Sequence, residues 1–171
     1  IFANENDERY PFAVPRTTNE HTGILLTSNV TTAKVWMHFQ VLSNQLQSAK
    51  VLLCPRDTNR WNTAADDFLG TNTSLSHSTK RDLAVSYFIG LHADETNAQA
   101  LLVGDRNMSA VRNGRHYSSI RAGGAIYVSE SSTWSDTWPT APHGEQGNVS
   151  LADGSAHQMT TESASAIGAG H

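Results

Sequence analysis

The sequence predicts an α+β protein of one domain, in which an amphipathic helix packs on a mostly antiparallel β-sheet. Its 171 residues suit a single domain with a sizeable core. Helical spacing of apolar residues marks 31–47, strict alternation marks 83–91, and a hairpin pattern occupies 148–159. One helix followed by several strands is the α+β order, since a doubly wound sheet would alternate helices and strands throughout.

The helix prediction rests on four apolar residues at positions i, i+4, i+7 and i+11. They are Val35, Phe39, Leu42 and Leu46, which share one face of a helix, with Thr31 or Thr32 as its N-cap. The apolar run at 50–54 follows, and Pro55 closes it. We predict a buried strand there.

Further strands are predicted from short apolar or alternating runs, and turn-rich segments separate them. The predicted strands are 23–28, 83–91, 100–103 and 125–128. The predicted non-strand segments are a long loop at 56–81 with a short helix at 64–69, an irregular segment at 107–124, a surface loop at 129–142 pinned by indoles, a short helix from Thr160 to Ile167, and a flexible tail at 166–171.

The strongest local pattern is the hairpin centred on Asp153-Gly154. Asp-Gly suits a two-residue type I′ turn, because both central positions of that turn need a positive φ. The alternation on either side places Val149 and Leu151 on the inward face.

Charge and cysteine content exclude several classes of function. The net charge is −4 and the basic residues are scattered, so neither nucleic acid nor an anionic membrane surface is an expected partner. Cys54 is the only cysteine, which rules out an intrachain disulfide and a thiolate-rich zinc site. Its apolar neighbours predict a small buried side chain.

Several segments, taken in order, resemble the pilin-like proteins of planctomycetes and verrucomicrobia that are related to type II secretion pseudopilins. The segments are Ala3-Asn-Glu-Asn-Asp-Glu-Arg-Tyr-Pro-Phe12, Leu42-Ser-Asn-Gln-Leu46 with Lys50-Val-Leu-Leu-Cys-Pro-Arg-Asp57, Ser86-Tyr-Phe-Ile-Gly-Leu-His-Ala-Asp-Glu-Thr96, and Leu102-Val-Gly-Asp-Arg-Asn107. His143, nine residues and then Asp153-Gly154 match the C-terminal pattern of that family.

The resemblance implies a pilin-like head domain spanning 1–171, with 1–9 as the end of an N-terminal helix that is otherwise absent from this chain. It implies a non-catalytic structural subunit of a type IV pilin-like or type II secretion pseudopilus-like filament or envelope assembly. Such a subunit would be extracytoplasmic and anchored by that helix. Its partners would be other pilin-like subunits, and the inner membrane before assembly.

His143 and Asp153 also allow a catalytic hypothesis, as a general base and its orienting carboxylate. No obvious nucleophile accompanies them, and the sequence holds no Gly-x-Ser-x-Gly, phosphate-loop or His-Glu-x-x-His motif. We therefore interpret His143, Asp153 and Gly154 as an architectural motif.

Trp134 and Trp138 allow two interpretations. Either they cover the sheet edge or, in a secreted or surface binding module, they contact glycan or a secreted substrate.

Metal binding is weighed on two patterns. The eight histidines show no i, i+3 or i, i+4 pairing, so no single element supplies a zinc site. Calcium is implied more strongly, since major pseudopilins hold it in a C-terminal loop. The candidate oxygen donors lack regular calcium-loop spacing, so no cofactor is expected and calcium stays an open alternative. These donors are Asp136, Glu145, Asn148 and Asp153.

Overall fold

The computed structural model describes eight stretches of chain and two single residues. The stretches are 35–90, 96–106, 108–112, 115–117, 125–126, 133–134, 143–144 and 146–160, and the single residues are 10 and 93. For the short strands between 108 and 134 only the backbone is described.

The helices are short and precede the strands. Helices α1 and α2 span Val35–Val41 and Ser43–Leu46, and 3₁₀ helices η1, η2 and η3 span Ala49–Leu52, Thr58–Thr63 and Arg81–Ala84. The strands are β1 (Tyr87–Gly90), β2 (Leu101–Asp105), β3 (Met108–Arg112), β4 (Arg115–Tyr117), β5 (Ala125–Ile126), β6 (Thr133–Trp134), β7 (Gln146–Leu151) and β8 (Ala156–Thr160). Within the described stretches, no helix has the length and apolar character that a membrane span requires.

The main sheet has five strands in the order β5-β1-β2-β7-β8. Strands β1, β2, β7 and β8 pair antiparallel, while the two-residue β5 runs parallel to β1. A second sheet of three short strands has the order β4-β3-β6. The predicted α+β class with a mostly antiparallel sheet is therefore confirmed.

Helix α1 lies on the core as its spacing predicts. Val35 is fully buried and Phe39 is 6% exposed, while Leu42 and Leu46 are partly buried. The main chain departs from one continuous helix, because α1 ends at Val41 and α2 ends at Leu46, where Gln47 follows with a φ of 62°. The predicted start of the helix, with Thr31 or Thr32 as N-cap, lies outside the described residues.

The predicted buried strand at 50–54 is wrong, since 49–52 forms the 3₁₀ helix η1. The Ser48 side chain accepts a hydrogen bond from the Lys50 N–H and so caps the helix. Leu52 is buried whereas Val51 is half exposed. A compact apolar run has no periodicity that separates a strand from a helical turn, which explains the error.

Two other boundaries differ from the prediction. The predicted helix at 64–69 is absent and a loop takes its place, with Asp67 bridged to Ser74; the helical turn lies earlier, in η2. The strand predicted at 83–91 begins only at Tyr87, because 81–84 forms η3. The alternating pattern of the sequence could not show where the strand begins, because residues from both alternating sets are buried: Val85 from one set, and Ala84 and Phe88 from the other.

The segments predicted as irregular contain strands. Strands β3 and β4 lie within 107–124, and β6 lies within 129–142, so both predictions are wrong in part. The strand predicted at 100–103 is confirmed by β2, and Ala125–Ile126 of the strand predicted at 125–128 is confirmed by β5. The strand at 23–28, the end of a helix at 1–9, the helix after Thr160 and the tail at 166–171 lie outside the described residues.

The C-terminal hairpin is confirmed, with Val149 and Leu151 buried, but its turn is of another type. Leu151 N–H donates to Ser155 O over 2.9 Å, and Gly154 N–H donates to Leu151 O over 3.0 Å. Gly154 has a φ of 83°, whereas Asp153 is not among the described non-glycine residues with positive φ. These features define a three-residue loop with glycine in the left-handed position, in place of a type I′ turn.

The buried histidine of α1 makes stability depend on pH. His38 is 3% exposed, and burial lowers its pKa from 6.5 to about 4. The unfolded chain binds a proton at His38 more readily than the folded chain does. The contribution of neutral His38 to the free energy of unfolding is therefore fully present above pH 6.5 and is lost as the pH falls towards 4. We expect a loss of up to about 3 kcal/mol across this window, measured by urea unfolding at successive pH values.

The test compares pH slopes, since buried carboxylates also titrate in acid. His38→Gln should flatten the part of the slope between pH 6.5 and 4. His157→Gln, at an exposed position on β8, should leave the slope as it is. Equal slopes for His38→Gln and the parent protein would contradict the assignment.

Two glycines of the central strands test how closely the strands pack. A Cβ built on Gly90 would lie 1.9 Å from the backbone oxygen of Leu101, which cannot move without breaking the β1–β2 pairing. A Cβ on Gly104 would lie 2.7 Å from the ring of Phe88, a side chain that can shift. We expect Gly104→Ala to cost about 1–3 kcal/mol in unfolding free energy and Gly90→Ala to cost more. The reverse ranking in denaturant melts would contradict this packing.

Candidate functional site

A buried ion pair joins the segment before η2 to the end of β2. Asp57 is fully buried and Arg106 is 5% exposed. Arg106 Nη2 donates to Asp57 Oδ1 over 2.6 Å, and Arg106 Nε donates to Asp57 Oδ2. Two parallel bonds of this kind match the planar guanidinium to the carboxylate, which fixes both side chains.

The same carboxylate also binds the chain just before β1. Ser86 Oγ donates to Asp57 Oδ2 over 2.8 Å. The backbone of Ser86 bonds in both directions, because its N–H donates to Leu52 O over 2.8 Å and its carbonyl accepts from Arg106 N–H over 3.0 Å. Three segments distant in sequence are thereby joined at one point.

A second buried guanidinium borders the pair. Arg60 Nε lies 3.7 Å from Asp57 Oδ2, and Arg60 Nη1 donates to Val85 O over 2.7 Å and to Asp82 O. Burial, and after it the nearby charge of Arg106, lower the pKa of Arg60 from 12.5 to about 10, although Asp57 and Asp82 act in the opposite direction. Arg60 therefore stays protonated at neutral pH and ties η2 to the backbone around η3.

Next to this network lies a cluster of three side chains with metal-binding atoms: Cys54, Asp105 and His143. His143 Nε2 is 3.4 Å from Cys54 Sγ and 3.5 Å from Asp105 Oδ2. The three ligand atoms all lie within 4.8 Å of one another. Cys54 and Asp105 are buried, while the His143 side chain is 23% exposed.

Asn148 on β7 holds the Asp105 carboxylate in place. Its backbone N–H and its side-chain Nδ2 donate to Asp105 Oδ2 over 2.7 and 3.0 Å. Burial nonetheless raises the pKa of Asp105, although the bonds from Asn148 and the neighbouring His143 act in the opposite direction. The carboxylate is therefore oriented by β7 at the edge of the cluster.

The cluster lacks the arrangement of a cysteine–histidine–aspartate catalytic triad. In a triad the imidazole uses one nitrogen for the nucleophile and the other for the carboxylate. Here the single nitrogen Nε2 of His143 faces both Cys54 and Asp105. Burial also raises the pKa of Cys54, which keeps it a protonated thiol at neutral pH and a poor nucleophile.

The two residues of the catalytic hypothesis, His143 and Asp153, lie in different surroundings. His143 contacts Asp105 and Cys54, whereas Asp153 is exposed in the hairpin turn and its Oδ1 accepts from Ser155 N–H over 2.8 Å. Gly154 supplies the positive φ of that turn. The base-and-orienter hypothesis requires a contact between His143 and Asp153, but the carboxylate that lies beside His143 is that of Asp105.

The alternative binding residues fall mostly beyond the described part of the chain. Trp138 and the calcium candidates Asp136 and Glu145 lie outside it, and Trp134 is described only by its backbone on β6, opposite Met108. The calcium candidate Asn148 donates its side-chain amide to Asp105.

Sequence reasoning missed Asp57, Ser86, Asp105 and Arg106 as a set. Their signal was present, since Asp105-Arg106 stands directly after one apolar run and Asp57 stands three residues after the end of another, in two of the segments that carry the family resemblance. Cys54 was correctly predicted to be buried, but its contact with His143, 89 residues away, was not anticipated.

Comparison with known proteins yields no match, whether against family models, curated proteins or solved structures.

The buried pair of Asp57 and Arg106 should contribute more to the free energy of unfolding than the exposed pair of Lys50 and Asp66. Asp57→Asn removes the negative charge and leaves Arg106 buried without its counter-ion, which should cost about 3–5 kcal/mol in unfolding free energy. The matched control is Asp66→Asn, which breaks the exposed pair with Lys50 and should cost less than about 1 kcal/mol. Similar costs for the two variants in urea melts would contradict the central role of Asp57.

Proposed function

We propose that this chain is the extracytoplasmic head domain of a pilin-like subunit, which builds a type II secretion pseudopilus-like filament or a related envelope assembly. The observation that carries the proposal is that residues from several of the segments similar to pilin-like proteins lie close together in the structure. The side chains of Cys54, Asp105 and His143 meet in one cluster inside the fold, and the ion pair of Asp57 and Arg106 lies next to it. Their contacts join segments of the domain to one another, as expected of residues with an architectural role.

The α+β architecture agrees with such a head, although it is shared by many other proteins. Tyr10, in the segment that resembles the region after the family's long helix, lies against the core. Its hydroxyl donates to Ala152 O in the hairpin turn over 2.8 Å. In the proposed subunit this bond would fix the point where the chain enters the head from the preceding helix.

In this proposal the subunit acts by assembly and performs no catalysis. An apolar helix upstream of residue 1 would anchor the protein in the inner membrane and then stack with its counterparts in the filament core. The head would remain outside and set the lateral contacts. The buried thiol and the single nitrogen that His143 turns to both neighbours support a non-catalytic role.

The proposal is tested with the complete natural reading frame in its own organism. We expect a leader and about 20 apolar residues directly before Ile1. We also expect an epitope-tagged protein to be recovered in sheared surface filaments and labelled along them by immunogold. Asp57→Asn should reduce recovery, because a destabilised head would be degraded before assembly.

His157→Ala serves as the matched control, since that side chain is exposed and bonds only locally to Ser155 in the described contacts. It should leave filament recovery unchanged. A protein that carries only a cleavable signal peptide and is recovered as a free soluble monomer would contradict the filament proposal and favour a binding module. Robust hydrolase turnover lost in His143→Ala, with the fold intact, would contradict the non-catalytic role.

A further inference from the structure

We propose that Cys54, Asp105 and His143 form a binding site for one divalent transition-metal ion of the zinc type. The proposal goes beyond the structural function and does not depend on it, because a filament subunit can exist with or without the ion. It rests on the positions of three side chains from three separate segments: the turn after η1, the end of β2 and the segment before β7.

Two of the three distances between the ligand atoms match those around a tetrahedral ion. Zinc lies about 2.3 Å from sulfur, about 2.0–2.1 Å from imidazole nitrogen and about 2.0–2.2 Å from carboxylate oxygen. Tetrahedral angles between such bonds place neighbouring ligand atoms about 3.3–3.6 Å apart. The contacts from His143 Nε2 to Cys54 Sγ and to Asp105 Oδ2 are 3.4 and 3.5 Å. The third pair, Cys54 Sγ and the Asp105 carboxylate, lies within 4.8 Å, so on binding these two groups would close on the ion from either side of His143.

Hydrogen bonding alone satisfies this arrangement poorly. An imidazole nitrogen either donates one proton or accepts one, yet His143 Nε2 faces the thiol and the carboxylate together. If Nε2 accepts from Cys54, its lone pair also faces the carboxylate oxygen of Asp105. If it donates to Asp105, the thiol faces an N–H group. A cation placed among the three attracts all of them at once.

The ligand types select the class of metal. A thiolate and an imidazole suit zinc and its neighbours in the first transition row, whereas calcium and magnesium prefer oxygen ligands throughout. On binding, the Cys54 thiol proton leaves to solvent and the His143 ring proton resides on Nδ1. One dication with two anionic ligands makes the site neutral overall, which suits two ligands that are buried.

Outer contacts and access complete the site. Asn148 donates twice to Asp105 Oδ2, which is the kind of second-layer support that orients a ligating carboxylate. The side chain of His143 is 23% exposed and that of Asp105 is 2% exposed, so solvent can approach from the histidine side. A water molecule can take the fourth position there, as in other sites with three protein ligands.

The first test titrates the intact, chelator-treated chain with zinc chloride by calorimetry. We expect one ion per chain. Asn148→Ala should weaken binding about 10- to 100-fold, as losses of outer-layer partners do, and His143→Ala should weaken it further. The matched control, His157→Ala, removes an exposed histidine and should leave affinity unchanged. Binding that His143→Ala does not weaken, or that His157→Ala abolishes, would identify an adventitious surface ion and overturn the site.

The second test remains decisive even if a variant folds poorly. Cobalt(II) added to the parent protein should give a thiolate-to-metal charge-transfer band in the near ultraviolet, because Cys54 is the only cysteine. Cys54→Ser, with its fold checked by circular dichroism, should lose that band. A parent protein that shows no such band at saturating cobalt overturns the proposal. Filament recovery is scored separately, so failure of the metal site leaves the proposed function standing.

Discussion

The described fold depends on the buried carboxylate of Asp57. Its two oxygens accept from Arg106 and Ser86, so one residue joins the helical half of the chain to the first two strands of the main sheet. Two charges removed from water are tolerated only when their hydrogen bonds are well satisfied. The geometry meets that condition, and it makes the relative positions of η2, β1 and β2 sensitive to a single side chain.

The cysteine–aspartate–histidine cluster is a consequence of this junction. Arg106 is fixed on Asp57, which also restricts the position of Asp105, the residue directly before it. Asn148 on the neighbouring strand β7 then orients the Asp105 carboxylate. The chain that leads into β7 brings His143 within reach of both Asp105 and Cys54. Pairing of β2 with β7 thereby assembles the proposed metal site next to the structural network.

The strands of the C-terminal hairpin are determined by local interactions, whereas the type of its turn is not. The alternation of Val149 and Leu151 and the turn glycine Gly154 determine the hairpin locally, so its strands could be predicted. The turn type could not, because an Asp-Gly pair suits both the two-residue and the three-residue loop once the register is free to shift. The strand predicted at 50–54 was wrong for a related reason, since the Ser48 cap and the bond between Leu52 O and Ser86 N–H favour a 3₁₀ turn there.

The sequence by itself determined the α+β class, the inward face of α1 with Val35 and Phe39, and the C-terminal hairpin. Each follows from periodicity over a few neighbouring residues. The tertiary structure alone decided that Asp57 pairs with Arg106, and that His143 lies beside Cys54 and Asp105. Those partners are 49, 89 and 38 residues apart, and no local pattern encodes which charged group closes on which. The physical reason is that a buried charge gains its partner only when strands from distant parts of the chain have already paired.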